Sequence, residues 1–167
     1  MSEPVKQPLR LSIELVPRSC WYSNVRSNVR ASTWDRLQAH CFERAKFRCE
    51  ICGGVGPAHP VECHEIWSYL DAMQVQRLDG LIALCPMCHE VKHIGRAIQT
   101  NRLPQCMLHL ARVNQLTAEQ ALGQVKAALA THSERSARQW RLDLSFLTER
   151  HKVLLGSDNR EPGLLYR

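Results

Sequence analysis

The chain has 167 residues, enough for one domain with a modest core and extensions, and its 44% hydrophobic and 23% charged composition excludes a disordered polymer. No apolar run approaches the length of a membrane span, and the opening Met-Ser-Glu-Pro-Val-Lys-Gln-Pro holds no apolar signal core, so a cytoplasmic, non-membrane protein is expected. The net charge of +6 favours a polyanionic partner.

Residues 1–8 read as a flexible start. Leu9–Val16 alternates apolar and polar residues and predicts a strand ended by Pro17, with a loop following it to residue 31. Ser32 and Asp35 form a variant capping box, opening a helix in which Trp34, Leu37, Cys41 and Ala45 recur at helical spacing. Cys49-Glu-Ile-Cys52 follows, and Gly53 and Gly54 permit a tight turn. Val61–Tyr69 predicts a strand, and Leu81–Leu84 is an apolar run into Cys85-Pro-Met-Cys88. A helix is expected to begin at Met87 or Cys88.

Pro104 suits the start of a helix over 104–114. Thr117-Ala-Glu-Gln120 is a capping box for a longer one, with Ala121, Leu122, Val125, Leu129 and His132 on one face. Trp140–Phe146 alternates again, predicting a strand that pairs with Leu9–Val16 and ties the chain ends together. The four tryptophans, Trp21, Trp34, Trp67 and Trp140, read as packing residues. The expected organisation is a 32–103 core, helices and a strand over 104–148 packed on it, and a tail over 149–167.

Two Cys-x-x-Cys pairs, Cys49/Cys52 and Cys85/Cys88, have the spacing of a closed, structural zinc site. The remaining cysteines, Cys20, Cys41, Cys63 and Cys106, are scattered, which predicts a reducing compartment and bound metal rather than disulfides. His89 and His93 stand four apart on the expected helix and face one side, so they can grip one ion. His64, on the preceding strand, is the third candidate. Three histidines on one scaffold predict a second, open metal site. Arginines and lysines flank both cysteine pairs, and Arg48, Lys92 and Arg96 are candidates for phosphate contact.

Over residues 34–102 these motifs resemble the zinc-stapled branch of the HNH nucleases. The residues that carry the resemblance are the first cysteine pair, the strand Cys63-His64-Glu65-Ile66-Trp67, its partner Leu78–Cys85, and Leu84-Cys85-x-x-Cys88-His89-x-x-x-His93. The resemblance implies an α+β fold with a treble-clef (ββα-metal) core. It implies an endonuclease that hydrolyses phosphodiester bonds of nucleic acid, double-stranded DNA first, with structural Zn²⁺ on the four cysteines. A catalytic Mg²⁺, Mn²⁺, Ni²⁺ or Zn²⁺ would sit on His64, His89 and His93.

Glu65 then falls where the family's base histidine stands, and Gly80 where its asparagine stands. In another register Cys63 is a ligand and His64 the base. Two other readings stay open: a non-catalytic zinc module that binds DNA, and a protease suggested by His89-Glu90-Val91-Lys92-His93, which has the His-Glu-x-x-His form.

Overall fold

The computed structural model describes residues 8–155. Residues 1–7 of the expected start and residues 156–167 of the expected tail lie outside the described residues. Within them the fold is mixed α+β, with seven α-helices and one three-stranded sheet. A four-residue α1 (Val25–Asn28) and a 14-residue α2 (Ala31–Arg44) lead in. A β-hairpin follows, β1 (Glu62–Leu70) and β2 (Val75–Leu84), and then α3 (Pro86–Lys92), α4 (Ile94–Gln99), α5 (Leu103–Asn114) and α6 (Ala118–Ser136). The strand β3 (Arg141–Asp143) and α7 (Ser145–Arg150) complete the chain.

The hairpin is the partition of the molecule. Its strands pair antiparallel, with His64 opposite Ile82 and Glu65 opposite Leu81, and a register shift between Ile66 and Trp67. Side chains alternate faces along a strand, so each strand feeds two different cores. Val61, Cys63 and Trp67 pack with α1, α2 and α7 through Val25, Leu37, Cys41 and Leu147. On the other side Leu84, Cys85 and Cys88 join Val91, Ile94, Cys106, Leu110 and Val125 of the helices that follow.

Residues 9–16 form no strand. Their alternation is real in its physics: Leu11 is fully buried, and Ile13 and Leu15 pack against the same helical core. The backbone bonds, however, go to helices. The Asn114 side chain accepts from Leu11 N–H (3.0 Å) and donates to Leu11 C=O (2.8 Å), imitating one rung of a sheet. Glu14 N–H donates to Lys92 C=O (3.2 Å), and Arg10 to Ile51 C=O (2.5 Å). The expected pairing of the chain ends is therefore replaced by an extended strap across α3 and α5. The C-terminal alternation pairs elsewhere too: β3 runs parallel to β2, with Val75 opposite Arg141 and Arg77 opposite Asp143. The extended run stops at Asp143, and Phe146 lies in α7.

Other local expectations shift by smaller amounts. The capping box at Ser32 and Asp35 does not form. α2 begins at Ala31, after Arg30, which makes no side-chain cap, so Ser32 lies inside the first turn. The box at Thr117 and Gln120 forms in both directions (3.2 and 2.9 Å). On α6 only Ala121 and Val125 of the expected face are buried, while Leu122 and Leu129 are exposed. Trp67 and Trp140 are core residues, but Trp21 is exposed. The fold also runs past residue 148, because α7 continues to Arg150 and Val153 is buried.

The Asn114 clamp gives a test of the strap. Asn114→Ala leaves Leu11 N–H and C=O buried without partners, at a cost of about 1–3 kcal/mol. Urea unfolding of the zinc-loaded protein should show that loss.

Candidate metal centres

The first Cys-x-x-Cys turn follows a sharp reversal in which Lys46 and Phe47 both adopt positive φ (52° and 55°). Gly53, with φ 76°, then takes a left-handed conformation that a side chain resists, and its N–H donates to Cys49 C=O (2.8 Å). The turn is fastened to the sheet. Glu50 N–H donates to Ala83 C=O (2.9 Å), and the Glu50 carboxylate accepts from Ala83 N–H (2.7 Å) and from Arg44 (2.9 Å). Arg44 also donates to Leu81 C=O (2.8 Å). Gly56 allows the following loop to close on α3, since a Cβ there would meet Pro86 Cδ at 2.6 Å. The second pair sits at the start of α3, where the Cys85 sulfur accepts from Cys88 N–H (3.5 Å) as the N-cap.

These two fastenings bring Cys49, Cys52, Cys85 and Cys88 together, their sulfurs all within 4.8 Å of one another. Cys52 and Cys85 Sγ are 3.6 Å apart, close to the edge of about 3.8 Å for a zinc–thiolate tetrahedron and far too long for a disulfide. All eight cysteines are free. A hydrogen bond from the Cys88 thiol holds the Cys49 thiol down to about 4, while burial first, then neighbouring sulfur charge, pushes Cys85 up to about 11. Four sulfurs so close share protons unless a dication replaces them. The donor set fits a structural zinc ion.

One neighbour of this cluster had no signal in the sequence. His109, on α5 and buried, places Nε2 3.1 Å from Cys88 Sγ, and its Nδ1 lies 3.0 Å from an Arg112 guanidinium nitrogen. A guanidinium only donates, so Nδ1 accepts and the ring proton sits on Nε2, aimed at the sulfur. Burial and the adjacent Arg112 both lower the His109 pKa, consistent with the neutral ring.

The three histidines also converge. His64 on β1, His89 on α3 and His93 at the joint between α3 and α4 bring ring nitrogens within 4.8 Å of one another, with His89 and His93 Nε2 3.1 Å apart. His93 leaves helical geometry (φ −98°, ψ 44°), although its N–H still donates to His89 C=O. Burial lowers His93 to about 4 and moves His89 in the same direction, and the charges of neighbouring histidines add to both shifts. Neutral rings present lone pairs, the state a divalent ion requires. His89 Nδ1 pairs with Glu62, whose other oxygen meets His59 Nε2 at 2.6 Å. Glu62 escaped notice in the sequence, although it lies two residues before His64 on the same strand face.

Several candidates sit elsewhere. Glu65 projects to the opposite face of β1, where its Oε1 accepts from Val25 N–H (2.8 Å). Cys63 packs on that same face, in the core containing Cys41. Lys92, expected at a phosphate, is 6% exposed and paired with Glu14 (2.5 Å). Arg48 and Arg96 are exposed. Glu90 turns from the histidines to take two hydrogen bonds from Arg102 (2.7 and 2.9 Å).

No protein-family model, curated protein or solved structure matches this chain.

The described residues contain no helix long and apolar enough to cross a membrane. The conclusion carried by the geometry is a mixed α+β domain with a four-cysteine cluster that can hold zinc.

Zinc binding at such a cluster is folding free energy, on the order of 10 kcal/mol. Cys85→Ser should therefore lose the zinc and most of the folded protein, as elemental analysis and circular dichroism would report. His109→Leu should keep the zinc but release it about 10-fold faster to a chelator, the size typical of a lost outer-shell partner.

Proposed function

We propose that this chain is a metal-dependent phosphodiesterase of the HNH type, built on a treble-clef core and acting on nucleic acid, double-stranded DNA first. The observation that carries the reading is the convergence of His64, His89 and His93 from a strand and the helix beside it. The order of elements supports it as well: a cysteine turn, a β-hairpin, then a second cysteine pair opening the helix that bears His89.

In this reading the four cysteines fix α3 against the hairpin, and the three histidines hold a divalent ion, Mg²⁺, Mn²⁺, Ni²⁺ or Zn²⁺. That ion would polarise a phosphodiester and offset its developing negative charge. Glu62 accepts a hydrogen bond from His89 Nδ1–H, which leaves the Nε2 lone pair free for the ion. Arg96, exposed and near enough to His89 and His93 to lower their pKa values, draws the phosphate backbone toward them. Arg48 extends the positive surface beside the first cysteine turn.

Glu65 is the proposed proton acceptor. Burial raises its carboxyl above the ordinary range, the direction a base working near neutrality needs, with the Val25 N–H and His64 pulling the other way. To act, it has to leave the Val25 N–H, and because side chains alternate across a strand it reaches the His64 face only through a change in the register of β1 itself. Its present bond favours a second reading, in which Glu65 only caps α1 and the domain binds DNA without cutting it. The protease reading has less support, because Glu90 is committed to Arg102.

Plasmid nicking with each of the four ions separates these readings. Wild type should nick. His89→Ala should lose at least about 100-fold in rate while retaining the cysteine-bound zinc, and Glu65→Gln should lose about 100- to 10,000-fold. DNA affinity that falls with salt, without nicking by wild type at any ion, would sink the nuclease reading in favour of the binding module.

A further inference from the structure

We infer that Glu14, carried by the N-terminal strap, is the positioning residue for His64, so that the three-histidine centre is completed by a segment outside the hairpin and helix that bear its ligands. This inference rests on reading the histidines as a metal centre.

The cluster around Glu14 is unusual in its burial. Its side chain is 19% exposed and lies between His64 and Lys92, themselves almost fully buried. Oε2 meets His64 Nε2 at 3.3 Å, and Oε1 meets Lys92 Nζ. Lys92 Nζ also donates to Ser12 Oγ (3.0 Å), two residues earlier on the strap. The backbone repeats the attachment, since Glu14 N–H donates to Lys92 C=O. A buried lysine and a buried glutamate are each costly alone, and their pairing, with the Ser12 hydrogen bond, offsets part of that cost and makes loss of one partner expensive. The strap is thereby locked in one register on α3.

That register decides what His64 presents. A carboxylate can only accept, so its oxygen at Nε2 selects the tautomer that carries the proton there. The lone pair then resides on Nδ1. Outer carboxylates of this kind fix the orientation and basicity of ligating histidines. Glu62 does the same for His89, but from β1 itself. Glu14 reaches His64 from fifty positions away in the chain. Lys92 Nζ occupies the second Glu14 oxygen, which leaves Oε2 for His64. This gives the buried lysine a role that phosphate contact does not.

Glu14→Ala alone would leave Lys92 as an unpaired buried cation. The informative variant is Glu14→Leu/Lys92→Met, which removes both charges and fills the space with apolar atoms, a change that buried ion pairs commonly tolerate. The full chain, with zinc on its cysteines, is titrated with Ni²⁺, an ion suited to imidazole ligands. Wild type is expected to bind one Ni²⁺ beyond the zinc. The double variant is expected to retain the zinc and bind Ni²⁺ about 10- to 100-fold more weakly. Nitrogen NMR of the imidazoles before Ni²⁺ is added supplies a second readout. His64 should be the Nε2–H tautomer in wild type and a mixture in the variant, a change that a merely structural role would not produce.

Wild-type Ni²⁺ affinity and an unchanged His64 tautomer in the double variant would overturn the role of Glu14 and leave the metal centre standing. Failure of wild type to bind any Ni²⁺ at the histidines would overturn both.

Discussion

Crowding four sulfurs within 4.8 Å is unfavourable for an apoprotein, because the thiolates repel and the thiols compete for the same protons. A dication reverses the sign of that interaction, and everything downstream of it follows from the reversal. The first cysteine turn is a short, glycine-dependent loop, and the second is the N-cap of a helix of only seven residues. Neither is stable by itself. Joined through one ion, they would hold the root of α3 at the end of β2, the junction that sets the distance between the strand bearing His64 and the helix bearing His89.

The hairpin then sorts chemistry by parity. His64 and Glu65 are neighbours in sequence but belong to different cores, one facing the helices after the hairpin and the other facing α1 and α2. A motif read as two adjacent functional residues becomes, in three dimensions, one residue at the histidine centre and one at a helix start. The same sorting puts Cys63 with Cys41, on the face away from the three histidines.

The features legible in the sequence are those whose partners are local or whose chemistry admits few alternatives. Cysteine pairs at ligand spacing, histidines four apart on a helix and the Thr117–Gln120 box belong to that class. The strap does not. Alternation at Leu9–Val16 reports that every second side chain is buried, but it carries no information on whether the cover is a strand or a pair of helices. Lys92 illustrates a different limit: a lysine in a basic stretch reads as solvated unless its counter-ion is known, and Glu14 comes from a distant part of the chain. His109 was equally silent, since a lone histidine on an amphipathic helix has no signature until the sulfur it faces is placed.

The fastening of the first cysteine turn has a further consequence for the sheet. On the side of β2 away from β1, Arg44 takes the carbonyl of Leu81, Glu50 takes both backbone groups of Ala83, and β3 covers only Val75–Arg77. The Arg44–Glu50 pair, exposed and of little energetic weight as an ion pair, therefore works as a plug. It denies a second chain the row of open amides and carbonyls along which strands of different molecules would otherwise zip together. Loss of zinc would release the turn that holds this plug, so the same event that unfolds the domain would also bare this edge of β2 to other chains.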